Sequence, residues 1–180
     1  MHKHIMIDIE TLGRKPGCCV LSIGACAFSA DSVEVLNKVH IGLDIEDQQY
    51  NYQCHVDTQT LKWWFKQSNQ GALNPEGAVP LRQALHTLSQ YISDQGKDIY
   101  VWANSPQFDI AILEELYRRA GEKAPWQYYQ VLDFRTISAI NPELHKAKRQ
   151  RAGYHNALDD AEAQAEVLAI IFGQYGIFTK

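Results

Sequence analysis

The sequence predicts a mixed α/β fold, a sheet covered by helices. Three apolar stretches near the start of the chain follow one another with short connections, as strands of an antiparallel meander do. Beyond them come stretches in which a strand runs straight into a helix, the pattern that builds parallel neighbours into a sheet. The 180 residues, 46% of them hydrophobic, suffice for one domain with a substantial core spanning 1–180.

The first strand is His4 to Thr11, where Ile5, Ile7 and Ile9 alternate with Met6, Asp8 and Glu10. Asp8 and Glu10 therefore share a face, roughly 6–7 Å apart along the strand. Leu12 to Gly17 holds two Gly and a Pro and reads as a turn. Cys18 to Phe28 is a well-buried second strand, and Val33 to Leu43 a third, on which His40 is a structural side chain. Asp57 caps a short helix from Gln59 to Gln67 that carries Trp63, Trp64 and Phe65 in succession. Residues 68–79 form a polar loop. Pro80 suits the first turn of a helix to Ser93, with Leu81, Leu85, Leu88 and Ile92 on one side. Asp98 to Ala103 is a fourth strand that ends in Asn104 to Asp109 and passes straight into a helix through about Ala120, with Asp109 in its first turn. Leu132 and Asp133 close a short fifth strand before a small helix at 134–140. Residues 141–154 form a loop with Lys146, Lys148, Arg149 and Arg151. His155 and Asn156 open the last helix, which runs to Phe172.

Composition excludes several classes. Four Trp, nine Tyr and six Phe mark a globular chain, not a disordered one. No apolar run approaches a membrane span, and the N-terminus lacks a signal-peptide layout, so the expected location is the cytoplasm. Cys18, Cys19, Cys26 and Cys54 lack paired C-x-x-C spacing and read as small buried apolar residues. A net charge of −4 argues against a protein that coats long duplexes, yet is compatible with an enzyme gripping a few nucleotides around bound metal.

Asp8 and Glu10 are either solvated acids on a half-exposed edge strand or a carboxylate platform for divalent cations, because unpaired carboxylates in a central strand are costly. Asp109 and Asp160 each stand in the first turns of a helix, where an acid is favoured electrostatically with or without a further role. Alone, His155 reads as an ordinary surface or capping histidine. As a set these residues carry more. Four carboxylates meeting in one cleft repel one another unless cations hold them. Oxygen ligation suits Mg²⁺ or Mn²⁺ rather than zinc. Two such ions ~3.5–4 Å apart activate a water and stabilise the leaving oxygen of a phosphodiester, and a nearby His can take the proton from that water.

Asp8-Ile9-Glu10-Thr11 resembles the first motif of the DEDD superfamily, the DnaQ-like 3′–5′ exonucleases. Asn104-Ser105-Pro106-Gln107-Phe108-Asp109 is similar to the second, and His155-Asn156-Ala157-Leu158-Asp159-Asp160 to the third motif of its His-type (DEDDh) branch. The Tyr-type branch would place Tyr at position 156, which is Asn156, so Tyr154 only neighbours the catalytic position. The resemblance covers residues 5 to about 172. It implies a ribonuclease H-like fold, a five-stranded mixed sheet of order 3-2-1-4-5 flanked by helices. It also implies that Asp8, Glu10, Asp109 and Asp160 hold two divalent cations, Mg²⁺ or Mn²⁺, with His155 as general base. Asp159 is then a helix-start acid or one that supports the metal-holding residues from behind. The reaction expected is hydrolysis from a free 3′ end with release of nucleoside 5′-monophosphates.

The Thr60 to Trp64 segment with Gln67 resembles the compact bacterial and phage exoribonuclease branch related to ribonuclease T. There an aromatic stacks on the terminal base, and Trp64 is preferred here over Trp63, with both rings in the core as the alternative. Thr11, Leu12, Asn104 and Phe108 are expected as further substrate contacts. The Lys146–Arg151 loop either binds phosphates or is solvated. The expected partner is single-stranded nucleic acid, RNA rather than DNA, with no membrane; a homodimer stays open. Single-stranded DNA as substrate, or an inactive binding module, are the alternatives. The five intact motif residues speak against the module.

Overall fold

The computed structural model describes residues 3–30, 32–67, 70–149 and 155–178. Strand β1 (Lys3–Thr11) sends Ile5, Ile7 and Ile9 into a large core on one face of the sheet and Met6 into a smaller core on the other. Asp8 and Glu10 continue the Met6 face toward the strand's end, as the period-two pattern requires. β2 (Val20–Ser29) pairs antiparallel with β1, and β3 (Ser32–Gly42) antiparallel with β2. β4 (Ile99–Ala103) lies parallel to β1 on its other side, and β5 (Val131–Asp133) parallel to β4. The order is therefore β3-β2-β1-β4-β5, with the acidic strand in the centre. Helices cover both faces, which explains why β2 is buried at every position and reads as a continuous apolar run.

The helices are α1 (Ile45–Tyr52), α2 (Thr58–Trp64), α3 (Leu81–Asp94), α4 (Asp109–Ala120), α5 (Phe134–Ser138), α6 (Pro142–Arg149) and α7 (Ala157–Tyr175). α3 and α4 bury their apolar sides in the Ile5–Ile9 core, whereas α7 packs Ala161, Ala165, Leu168 and Phe172 into the Met6 core. All four cysteines are buried and unbridged. Among the described residues no helix is long and apolar enough to cross a membrane.

Several elements differ from the sequence reading. α1 has no counterpart in it, because this helix is polar and buries one residue, Gln48. Gln48 acts as a strand neighbour for β2: Val20 N–H donates to Oε1 at 2.8 Å, and Nε2 donates to the Val20 carbonyl at 2.8 Å. Pro80 is the cap before α3 and not a residue of its first turn. The loop expected at 141–154 is helical over Pro142–Arg149, with the Asn141 side chain accepting the Leu144 N–H at 3.1 Å. Lys146 is exposed on that helix, while Arg151 and Tyr154 lie outside the described residues. The polar loop at 68–79 contains a 3₁₀ turn at Gln70–Leu73. α7 starts at Ala157, one residue later than its Asn156 cap, so His155 stands outside the helix instead of opening it.

Candidate active site

The carboxyl ends of β1 and β4 point the same way, which brings the loop after β4 to the rim where Asp8 and Glu10 emerge. That loop turns sharply. Ser105 adopts a left-handed φ of 100°, and its carbonyl accepts the N–H groups of Phe108 at 2.8 Å and Asp109 at 3.3 Å. Asp109 thereby begins α4 with its carboxylate turned inward, accepting the backbone N–H of Ile9 and its own. It is 3% exposed, too buried for a simple solvated helix-start acid.

The fourth carboxylate arrives with α7. Gly24 of β2 is the register partner of Asp8. A Cβ on Gly24 would strike the backbone of Ala157 and Leu158, so only a glycine lets the first turn of α7 sit this close to the sheet. Asn156 caps the helix by accepting the N–H groups of Leu158 and Asp159 at 3.0 and 3.2 Å. His155 precedes this cap with a left-handed φ of 54°. One ligand atom from each of Glu10, His155 and Asp160 lies within 4.8 Å of the others. Asp159 is exposed.

Electrostatics tie the four acids together. Burial, followed by the charges of Asp109, Glu10 and Asp160, pushes the Asp8 carboxyl well above its ordinary range, and a hydrogen bond from Gln164 pulls it back. Burial and the charges of Asp160 and Asp109 push Glu10 up to about 8. Burial raises Asp109 to about 7, opposed by the two backbone N–H groups and by the charge of Arg135. Protein interiors do not gather repelling acids for stability, so the cluster suits a ligand that is itself positive. The donor set is carboxylate oxygen with one imidazole, which fits hard divalent cations. Among the described residues, Glu10, His155 and Asp160 are the one group of His, Cys and acidic side chains spaced for a metal ion.

Gln164 was not anticipated in the sequence. It lies one turn beyond Asp160 on α7, is 7% exposed, and its Nε2 donates to Asp8 Oδ1 at 2.9 Å. A single helix thus supplies one acid and orients another. The spacing of four from Asp160 was the available signal, but a helical Gln is too common to single out.

Beside Glu10 opens a cleft of about 480 Å³ lined by Ile9, Glu10, Thr11, Arg14, Gln59, Thr60, Trp63, Trp64 and Phe108. Asp57 caps α2 by accepting the Thr60 N–H at 2.8 Å, which fixes this wall. The two tryptophans differ from expectation. Trp64 is 1% exposed, and its Nε1 donates to the Thr11 carbonyl at 2.9 Å, so it braces the wall from within the core. Trp63 is 41% exposed and is the ring open to the cleft, its centroid 4.7 Å from that of His155 in an edge contact. Leu12 is also a core residue, 3% exposed and absent from the lining, because the chain turns inward after Thr11. Asn104 does not line the cleft either; its Oδ1 is buried without a hydrogen-bond partner among the described residues. Thr11 and Phe108 do line it.

Among curated proteins nothing matches the chain. Among solved structures, the nuclease domain of 3′hExo, a DEDDh family member bound to rAMP, superposes with a TM-score of 0.64 at 10% identity, covering 99% of this chain and 94% of that one. Cell-death related nuclease 4 (CRN-4) gives 0.65 at 10% identity over 97% of this chain and 65% of its own. E. coli exonuclease I with a 5cy-dA13 oligonucleotide gives 0.69 at 12% identity, over 96% of this chain and 40% of its own. Identities this low establish the shared ribonuclease H-like fold. A family model described as the Rv2179c-like 3′–5′ exoribonuclease domain matches residues 3–172, and the chain belongs to that family of 3′–5′ exonucleases.

Proposed function

We propose that this protein hydrolyses the terminal phosphodiester at the 3′ end of single-stranded RNA and releases nucleoside 5′-monophosphates. The observation that carries the proposal is the meeting of Asp8, Glu10, Asp109 and Asp160 with His155 at the mouth of a nucleotide-sized cleft. The four carboxylates would hold two divalent cations, Mg²⁺ or Mn²⁺, whose charge, when bound, favours water ionisation and an anionic leaving oxygen. Gln164 keeps Asp8 oriented without adding a positive charge that would compete with cations. His155 takes the proton of the attacking water at an imidazole nitrogen, a role open to it because its ring lies off the helix, near Glu10 and Asp160. Trp63 offers its exposed face to the terminal base, while Thr11 and Phe108 line the space for the sugar and base.

RNA is favoured by the exoribonuclease description of the family. Single-stranded DNA is the second reading, favoured by the oligonucleotide held in the exonuclease I neighbour. Matched 5′-labelled RNA and DNA, single- and double-stranded, separate the two when incubated with Mg²⁺, Mn²⁺ or chelator. The expected result is metal-dependent shortening of single-stranded RNA from its 3′ end, faster than DNA and lost in Asp8→Asn. Equal cleavage of both strands would withdraw the RNA preference. Cleavage that survives chelation or Asp8→Asn would withdraw the mechanism.

A further inference from the structure

The cleft and the carboxylates account for the last nucleotide and the bond to be cut, but not for the strand that remains. β1, β4 and β5 lie side by side and run parallel, so their carboxyl ends form one rim. The cleft stands beyond the end of β1, walled by α2. The acids occupy the ends of β1 and β4. Next along the rim, where β5 turns into α5, stands Arg135, the second residue of that helix.

Arg135 is exposed, and among the described residues it forms no ion pair. Its Nη2 donates to the Asn104 carbonyl at 3.4 Å, so the side chain leans back across the end of β4. The backbone beneath it is firm. Asp133 caps α5 by accepting the Arg135 N–H at 3.1 Å and the Thr136 hydroxyl at 2.6 Å. An exposed guanidinium beside a row of acids is suited to an anion that the acids would otherwise repel, and its planar fork matches a phosphate.

We propose that Arg135 binds the phosphate immediately 5′ to the scissile one, as a subsite for the retained strand on the side of the carboxylates away from the cleft. The proposal rests on the exonuclease reading above. With the 3′ nucleotide in the cleft and its phosphodiester over the acids, the strand continues toward β5, where Arg135 offers it a cation.

Two dinucleotides test this. One has a free 5′-hydroxyl and so only the scissile phosphate; the other carries a 5′-phosphate in addition. In the wild type the 5′-phosphate should raise kcat/KM by about tenfold, the scale of a hydrogen bond to a charged group. Arg135→Gln should bring the ratio of the two rates to about one, a comparison in which any effect of the lost charge on Asp109 cancels, and Arg135→Lys should recover part of the gain. On longer RNA, Arg135→Gln should also flatten the dependence of log KM on log salt by ~0.7, the loss of one phosphate contact on a single strand. A 5′-phosphate gain that survives in Arg135→Gln overturns the subsite. So does an equal loss on both dinucleotides, which would place Arg135 at the scissile phosphate or at Asp109. A wild type that cleaves neither dinucleotides nor longer RNA overturns the exonuclease reading itself.

Discussion

His155 and the two tryptophans beside it carry the sharpest expectations at the scale of single residues. His155→Ala should lower kcat by ~10²–10⁴-fold. Divalent-cation binding, followed by titration of Mn²⁺, should survive, since four carboxylates remain. A large loss of Mn²⁺ affinity would instead make His155 a ligand, which its closeness to Glu10 and Asp160 permits. The adjacent tryptophans should separate cleanly. Trp63→Ala removes an exposed ring and should raise KM while leaving Tm unchanged, the stacking lost being worth ~1–3 kcal/mol. Trp64→Ala empties a buried site and breaks the bond to the Thr11 carbonyl, so it should cost ~3–5 kcal/mol of stability, seen as a lower Tm. If the two phenotypes were exchanged, the assignment of core and cleft rings would fall.

At the scale of elements, α7 is the part on which the site depends. It contributes Asp160, it orients Asp8 through Gln164, and its cap holds the residue after His155. Its approach to the sheet is set by the bare backbone of Gly24. Gly24→Ala should therefore displace the first turn of α7, lowering Tm and nearly abolishing activity together. Gly173, farther along the same helix, has open space around its Cβ position. Gly173→Ala should keep full activity and raise stability by ~0.5–1 kcal/mol, as expected for replacing a helical glycine. Thermal melts and a cleavage assay on both variants check the contrast.

For the whole molecule, the acidic cluster makes stability depend on pH and on cations together. Glu10 rises to about 8 and Asp109 to about 7 in the folded protein, whereas both titrate near 4 when unfolded. Between those values the folded state holds more protons than the unfolded one. The slope of unfolding free energy with pH is then negative. In chelator, this site should be most stable below pH 4 and lose stability as pH rises through about 7 to 8. Mg²⁺ or Mn²⁺ should reverse that loss by binding the ionised, folded form. The Tm gain on adding cation should accordingly be larger at pH 8 than at pH 5. A gain equal at both values, measured in Asp8→Asn as a reference, would mean that the cations act elsewhere.

By itself the sequence determined the sheet, its meander and strand–helix units, and the residues of the acidic cluster. Period-two alternation in β1, apolar spacing in α3 and the Asp57 cap are local properties, legible without knowing what lies across the fold. Residues 44–56 and 141–149 were less legible because α1 and α6 are polar helices held by tertiary partners such as the Gln48–Val20 pair. Tertiary structure alone decided which tryptophan faces the cleft, that Leu12 turns inward, and that Gln164 and Gly24 serve Asp8. Each of those outcomes depends on what stands opposite a side chain in space. Neighbours in the sequence carry no signal of it.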